Sequence, residues 1–358
     1  MRCLAVANTL RERGASCYFI CRDLPGNLSQ YIASQSFDVD VLALPQPSSG
    51  RKSRLCLGSG RVGYEAWLGT DWANDQAETR AAVARWLPGG VADWLVVDHY
   101  ALDLRWEKAM SPAYQHLMVI DDLADRRHEC NALIDQNIGR TPNDYLAWVN
   151  PDCTLMMGPS YALLRPEFPA IRRKSLDHRA NRTIRKLLIS MGGVDKDNAT
   201  GAVIAGLSYC DLPQGIEILV VMGEQAPWLE QVRAQVAALP FFATTLTAVS
   251  DMASLMADAD IAIGAAGTTT WERCCLGLPS IVIGTAENQR YVLSQLEAEK
   301  LVVIGDLGDI RGNPDGLRTL MKQLIDGLEY YSRRSAELTE GNGCQMLADY
   351  ISAGSIPK

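Results

Sequence analysis

Residues 264–289 read GAAGTTTWERCCLGLPSIVIGTAENQ, and the order of events in this stretch decides the fold. It follows the apolar run Asp260–Ile263, whose length and composition are those of a buried strand. Gly264 and Gly267 let the backbone turn sharply, and Thr268 and Thr269 open a helix expected over Thr270–Leu276. The unpaired N–H groups at such a helix start suit an anion such as a phosphate. Glu272 lies about one turn further on, where a carboxylate accepts hydrogen bonds from a ribose diol. A second strand, Ser280–Ile283, runs beside the first and is followed by Asn288 and Gln289. Glycines alone would mark an ordinary strand–loop–helix turn. The ordered set of small loop, acid and amide pair favours a nucleoside diphosphate pocket.

The same rhythm recurs on either side. A strand over Lys186–Met191 turns at Gly192 and Gly193 and enters a helix over Ala199–Leu207, with Asn198 as its cap. Glu217–Met222 and Val302–Ile304 add further strands. In the first half, Trp94–Val97 ends in Asp98-His99-Tyr100, and Leu117–Ile120 ends in Asp121-Asp122. Leu133–Ile134 and Thr154–Met157 continue that sheet. Gln46–Gly63, rich in Ser, Gly and Arg, reads as a long surface loop, and Gln76–Trp86 as a helix. Two prolines and many charges near Arg165–Arg185 mark the interdomain linker, with its basic residues solvated. The pattern predicts an α/β protein of two doubly wound, Rossmann-like domains, 1–170 and 184–354, facing a cleft.

The opening residues break the rhythm. Met1–Arg13 carries Cys3, Leu4, Ala7 and Leu10 on one face and meets a capping Gly14, so it reads as an amphipathic helix. The strand Ser16–Ile20 follows at once. An open α/β sheet starts with a strand that feeds its first helix across the ligand crevice. The first strand of the first domain is therefore expected to be missing from this sequence.

With 358 residues and a formal charge of −8, the chain has room for two cores and no basic block for a nucleic-acid partner. No segment is uniform enough to span a membrane, and no signal peptide stands at the start. Ten cysteines without a Cys-x-x-Cys pair read as reduced residues of a cytoplasmic protein. Asp38-Val39-Asp40 matches the Asp-x-Asp pattern of metal-dependent sugar transferases, but three residues specify little, and a surface turn is the simpler reading. The sequence thus calls for no metal and no cofactor. His99 is either a packed imidazole or a base, the former being the plainer reading.

Several blocks together resemble one family. They are Met1–Ala5, Asp98–Tyr100, Asp121–Arg126, Asp135–Asn137, Gly158–Phe168 (GPSYALLRPEF), Gly192-Gly193 with Asn198, Gly267–Glu272 and Glu287–Gln289. They look like the UDP-2,4-diacetamido-2,4,6-trideoxy-β-L-altropyranose hydrolases of pseudaminic acid synthesis. The resemblance implies a GT-B-type fold related to the peptidoglycan N-acetylglucosaminyltransferase. It also implies metal-independent release of UDP by water from a UDP-sugar; separately, the chain is expected to be a monomer. Tyr100 and Asn288 would then orient the sugar or the attacking water. Thr268, Thr269 and Gly193 would hold the diphosphate, and Glu272 the ribose, with Gly192, Asn198, Gly267 and Gln289 completing the pocket. The uracil would lie against the loop Val249–Met252. In the family a strand and a Gly-x-Gly-His turn precede Met-Arg-Cys, and that histidine is the proposed general base. Its loss costs about 10²–10⁴ in rate. Two alternatives stay open: a GT-B glycosyltransferase using a UDP-sugar, and an inactive UDP-sugar binder.

Overall fold

A computed structural model describes residues 1–45, 64–180, 183–286 and 289–353. Asn288 and the expected loop Gln46–Gly63 lie outside the described residues. The first unit contains β1 (Tyr18–Arg22), β2 (Asp38–Leu42), β3 (Ala92–Val97), β4 (Tyr114–Ile120), β5 (Ala132–Asp135) and β6 (Thr154–Met157). The second contains β7 (Lys186–Ser190), β8 (Glu217–Val221), β9 (Phe242–Leu246), β10 (Ile261–Ala265), β11 (Ser280–Ile283) and β12 (Val303–Gly305). Every strand pair is parallel. Parallel strands need helices on both faces of the sheet, which is why β10 and β11 are buried throughout and, apart from Ser280, apolar.

The second unit is one six-stranded sheet in the order β12-β11-β10-β7-β8-β9. The chain moves outward from β7 through β8 to β9, then returns to add β10 on the other side. Order reverses between β7 and β10, and there the loops at the carboxyl ends part to leave a crevice. Gly192-Gly193 follows β7 and Ala266–Thr270 follows β10, so both glycine turns flank this point.

In the first unit the strands form two sheets, β1-β2 and β3-β4-β5-β6. The same helices cover both. Leu4 and Ala7 of helix Arg2–Glu12 pack with Phe19, Phe37 and Val39 of the smaller sheet region. Ala5, Val6 and Leu10 of that helix pack with Val96, Met118 and Ile134 of the larger sheet. On the opposite face Ile20 shares a cluster with Val83, Val97 and Leu117. The two sheets are thus halves of one layer, interrupted between β1 and β3.

Four details correct the sequence reading. Asp38-Val39-Asp40 lies within β2, not in a turn: Val39 packs against the Phe37 cluster while Asp40 pairs with Arg85 at 2.5 Å. Alternation of apolar and charged residues makes an edge strand look like a turn. β9, an edge strand starting at the exposed Phe242, gave too weak a pattern to be read. The expected linker is largely a helix, Glu167–Arg179, packed on the second unit. There Arg172 bonds the carbonyls of Cys275 and Ala336, and Arg179 those of Met256 and Ala257, while Arg173 and Lys174 lie largely in solvent beside Asp177 and Asp258. Finally, the last helix, Gly343–Ala353, crosses back to the first unit, although it falls inside the range 184–354 expected for the second. Leu347, Ala348 and Tyr350 join the cluster of Val6 and Met118, and the Tyr350 hydroxyl donates to Asn131 O at 3.4 Å. An amphipathic segment goes to whichever apolar face is open, whatever its place in the chain.

Candidate active site

The loop after β10 ends in Gly267, with φ +148° and open space where a Cβ would stand. That conformation starts the helix Thr268–Cys275, two residues earlier than the sequence suggests, with no side chain capping it. Thr270 N–H returns to Gly267 O at 2.9 Å. The N–H groups of Thr268 and Thr269 have no acceptor among the described residues, and both residues are half-buried. Two free amides at a helix start form a ready anion site. Across the crevice, Gly192 (φ +91°) and Gly193 are exposed with nothing above them.

Glu272 lies one turn further on, buried, with Arg165 Nη2 at 3.8 Å. Burial raises its carboxyl above the ordinary value, and the Arg165 and Arg273 guanidiniums offset part of that. Val249 and Met252 flank the turn into helix Met252–Asp258, which Asp251 caps through Ser254 N–H at 2.9 Å. Met252 packs on the apolar cluster beneath, and Val249 is half-buried.

Two expected contact residues are committed elsewhere. Asn198 accepts from Gly201 N–H at 3.1 Å, and Asp195 accepts from Ala199 and Thr200 N–H at 2.8 and 2.9 Å. That helix start is already satisfied by its own side chains, whereas the Thr268 and Thr269 amides are not. Gln289 braces the loops: its Nε2 donates to Ala266 O at 2.7 Å, and its Oε1 accepts from Thr285 N–H at 2.9 Å. It thereby fixes the residue before Gly267.

The facing edge of the first unit is acidic. Arg2 donates twice to Asp98, at 2.9 and 2.7 Å, and once to Asp122 at 3.2 Å. Tyr100 Oη donates to Asp122 Oδ2 at 3.0 Å, beside the rings of Tyr64 and Trp67. Burial and the Asp122 carboxylate raise the Tyr100 phenol well above its usual value, so it stays protonated as a donor. His99 is the packed imidazole: Nδ1 accepts from Ala101 N–H at 3.1 Å, and the ring also bonds the Trp67 backbone. Burial holds its pKa below the ordinary value. With its nitrogens committed to backbone, it is not placed to act as a base.

Deeper, Tyr145 Oη lies 3.0 Å from Asp121 Oδ2 and 2.9 Å from Asp135 Oδ2. A phenol has one proton to give. Asp121 is held by Arg126 at 2.7 Å and by the N–H groups of Leu123 and Ala124. Burial alone would raise it, but Arg126 and these donors carry it below the ordinary value. Burial raises the Asp135 carboxyl to about 7, with Asp122 and Asp121 adding to the rise and hydrogen bonds from Asn137 N–H and the Tyr145 hydroxyl opposing it. Among the described residues no group of three or more His, Cys, Asp or Glu side chains forms a metal nest.

The sequence reading missed Arg165, the raised Asp135 carboxyl, and Arg273. A charged residue inside the apolar helix segment TWERCCL was the visible signal for Arg273.

Residues 198–323 match the family described as "Glycosyltransferase family 28 C-terminal domain". Over 142 residues, 40% of this chain, the sequence is 30% identical to the "Spore coat polysaccharide biosynthesis protein SpsG" of Bacillus subtilis. That match covers 41% of the relative, so the chain spans less than half the length of the curated relatives it matches. Acinetobacter baumannii MurG superposes with a TM-score of 0.68 at 14% identity, covering 98% of this chain and 95% of that one. The UDP-GlcNAc 2-epimerase of Neisseria meningitidis, bound to UDP-GlcNAc, gives 0.58 at 11% identity, covering 98% and 96%. Together with the two parallel-stranded units, these likenesses show a GT-B fold. No helix among the described residues is long and apolar enough to cross a membrane.

Proposed function

We propose that this protein is an enzyme acting on a UDP-linked sugar, breaking the bond between the anomeric carbon and the β-phosphate oxygen and releasing UDP. The observation that carries the reading is the pair of free amides at Thr268 and Thr269, with Glu272 one turn along, at the switch point of the second sheet. The amides take the β-phosphate charge that grows as the bond breaks. Glu272 holds the ribose diol, and the Val249–Met252 turn lies against the base. Tyr100, kept protonated against Asp122, orients the sugar or the incoming nucleophile. Loop amides rather than a cluster of oxygen ligands hold the diphosphate, so turnover is expected to persist in EDTA.

Transfer of the sugar to an acceptor hydroxyl is the reading that the family match over 198–323 supports better. Hydrolysis of a 2,4-diacetamido-trideoxy sugar nucleotide is the second reading. It rests on the first-half blocks around Asp98–Tyr100, Asp121–Arg126 and Gly158–Phe168. The nucleotide half serves both, so products decide between them. Incubation of the full chain with UDP-sugars, with and without candidate acceptors, is expected to yield UDP together with a new glycoside, or with free sugar under the second reading. Glu272→Ala is expected to weaken UDP binding by about 1.5–3 kcal/mol, the range for a hydrogen bond to a charged group. A calorimetric affinity unchanged in that variant would place the ribose elsewhere.

A further inference from the structure

Arg273 is a buried cation without a paired anion. It is 2% exposed, on the inner side of helix Thr268–Cys275. Its Nη2 donates to Ala265 O at 3.1 Å and to Thr270 Oγ1 at 3.2 Å, while Nη1 reaches Thr269 Oγ1 at 3.4 Å. Nε has no acceptor, and no carboxylate lies within ion-pair distance of the guanidinium among the described residues. Other buried arginines differ: Arg126 meets Asp121 at 2.7 Å, and Arg22 meets Asp75 at 2.7 Å. Arg179 caps the carbonyl end of helix Met252–Asp258, where a positive charge is favoured. The Arg273 guanidinium instead folds back onto the first turn of its own helix, the end that already carries positive partial charge. Burial pushes its pKa down to about 10, and Cys274 and Glu272, acting at longer range, offset only part of that.

Its position is built rather than incidental. A Cβ on Gly264 would overlap Arg273 Nη1 and stand 3.0 Å from Ser190 O. Gly264 therefore leaves room for the guanidinium at the carboxyl end of β10, beside the end of β7. That is the switch point, where Ser190 precedes the Gly192-Gly193 turn by two residues and Arg273 bonds the loop that carries the Thr268–Thr269 amides. A fixed cation and two free amides, with Glu272 acting on the cation only from beyond ion-pair distance, make a site that favours a further negative charge.

Resting on the nucleotide-sugar reading above, we propose that Arg273 is the buried counter-charge for the diphosphate, a positioning residue acting through the loop Ala265–Thr270 without touching the phosphates. In the low-dielectric layer beneath the loop, its attraction grows with the number of negative charges above it. Its hydrogen bonds to Ala265 O, Thr269 Oγ1 and Thr270 Oγ1 hold the free amides in the arrangement that receives them. Arg273 should thus discriminate among ligands by phosphate charge and be indifferent to the nucleoside.

The test compares UDP, UMP and uridine binding by calorimetry for the full chain, Arg273→Met and Arg273→Lys. In Arg273→Met, UDP affinity is expected to fall about 10- to 100-fold and UMP affinity by less, with uridine affinity unchanged. Arg273→Lys is expected to retain most of the UDP affinity, and thermal unfolding of the ligand-free variants reports whether they fold. Equal losses for uridine and UDP, or an unchanged UDP affinity, would overturn the assignment. If Arg273→Met does not fold, Arg273→Lys and Gly264→Ala, which displaces the guanidinium, carry the comparison by the same criteria. A wild-type chain that binds none of the three ligands would instead remove the nucleotide reading, and this inference with it.

Discussion

Burial raises the Asp135 carboxyl to about 7, and the nearest well-paired cation is held by Asp121 instead. Arg126 is spent on Asp121 at 2.7 Å, and Arg140 Nε reaches Asp135 Oδ2 only at 3.4 Å. The folded pKa of about 7 therefore lies above the unfolded value near 3.8. An acid raised in this way binds more protons folded than unfolded, so its ionisation erodes stability as pH rises from about 4 to about 7. Asp135→Asn removes that loss while still accepting from Asn137 N–H. Between about pH 5 and pH 8, wild type is expected to lose on the order of 1–3 kcal/mol relative to the variant in denaturant unfolding. Parallel pH profiles for the two proteins would mean that Asp135 is ionised in the fold. His99 shows how little residue type reveals at this scale. Its place after a strand end marked it for weighing as a base, yet its bonds to Ala101 N–H and the Trp67 backbone assign it to holding a loop.

Helix Gly343–Ala353 closes a face that the first unit cannot close with its own residues. Gly343 allows it to enter against Tyr161 and Ala162, where a side chain would overlap their backbone. Leu347 is fully buried among Val6, Met118 and Leu163. Leu347→Ala is expected to cost about 2–5 kcal/mol, the range for a large-to-small change in a tight core. Thermal unfolding measures it, and a loss under about 0.5 kcal/mol would show that the helix is not needed by the first unit. The amphipathic stripe of this helix was visible in the sequence, but its docking partner was not. Linear proximity assigns a helix to its neighbours, whereas burial assigns it to the nearest uncovered apolar surface.

Between the two units the chain forms a seam rather than a tether. In residues 161–168, Leu163 enters the first-unit cluster while Ala162, Leu164 and Phe168 enter a second-unit cluster. Arg140 lies over the Tyr291 ring at 4.0 Å, and Arg165 of the seam reaches Glu272 at 3.8 Å. Together with the returning C-terminal helix, these contacts tie the two cores into one cooperative body. Scanning calorimetry is expected to give a single transition whose van't Hoff and calorimetric enthalpies agree, and two resolved transitions would refute the coupling.

The sequence by itself determined the alternation of strand and helix, the two-unit architecture and the glycine turn that opens helix Thr268–Cys275. These rest on local rules: apolar runs of strand length, glycine where a turn needs φ above zero, and a helix start with unpaired amides. Tertiary structure alone decided which polar groups were already satisfied. Asn198 caps its helix as its sequence position suggests, but only the fold shows Gln289 joining Ala266 O to Thr285 N–H across two loops. Arg273 stands in an apolar helix segment, and only the fold shows it buried with no acid within ion-pair distance among the described residues. Pairing and burial are relations between residues distant in the chain, and only the folded backbone brings such residues within a bond length of each other.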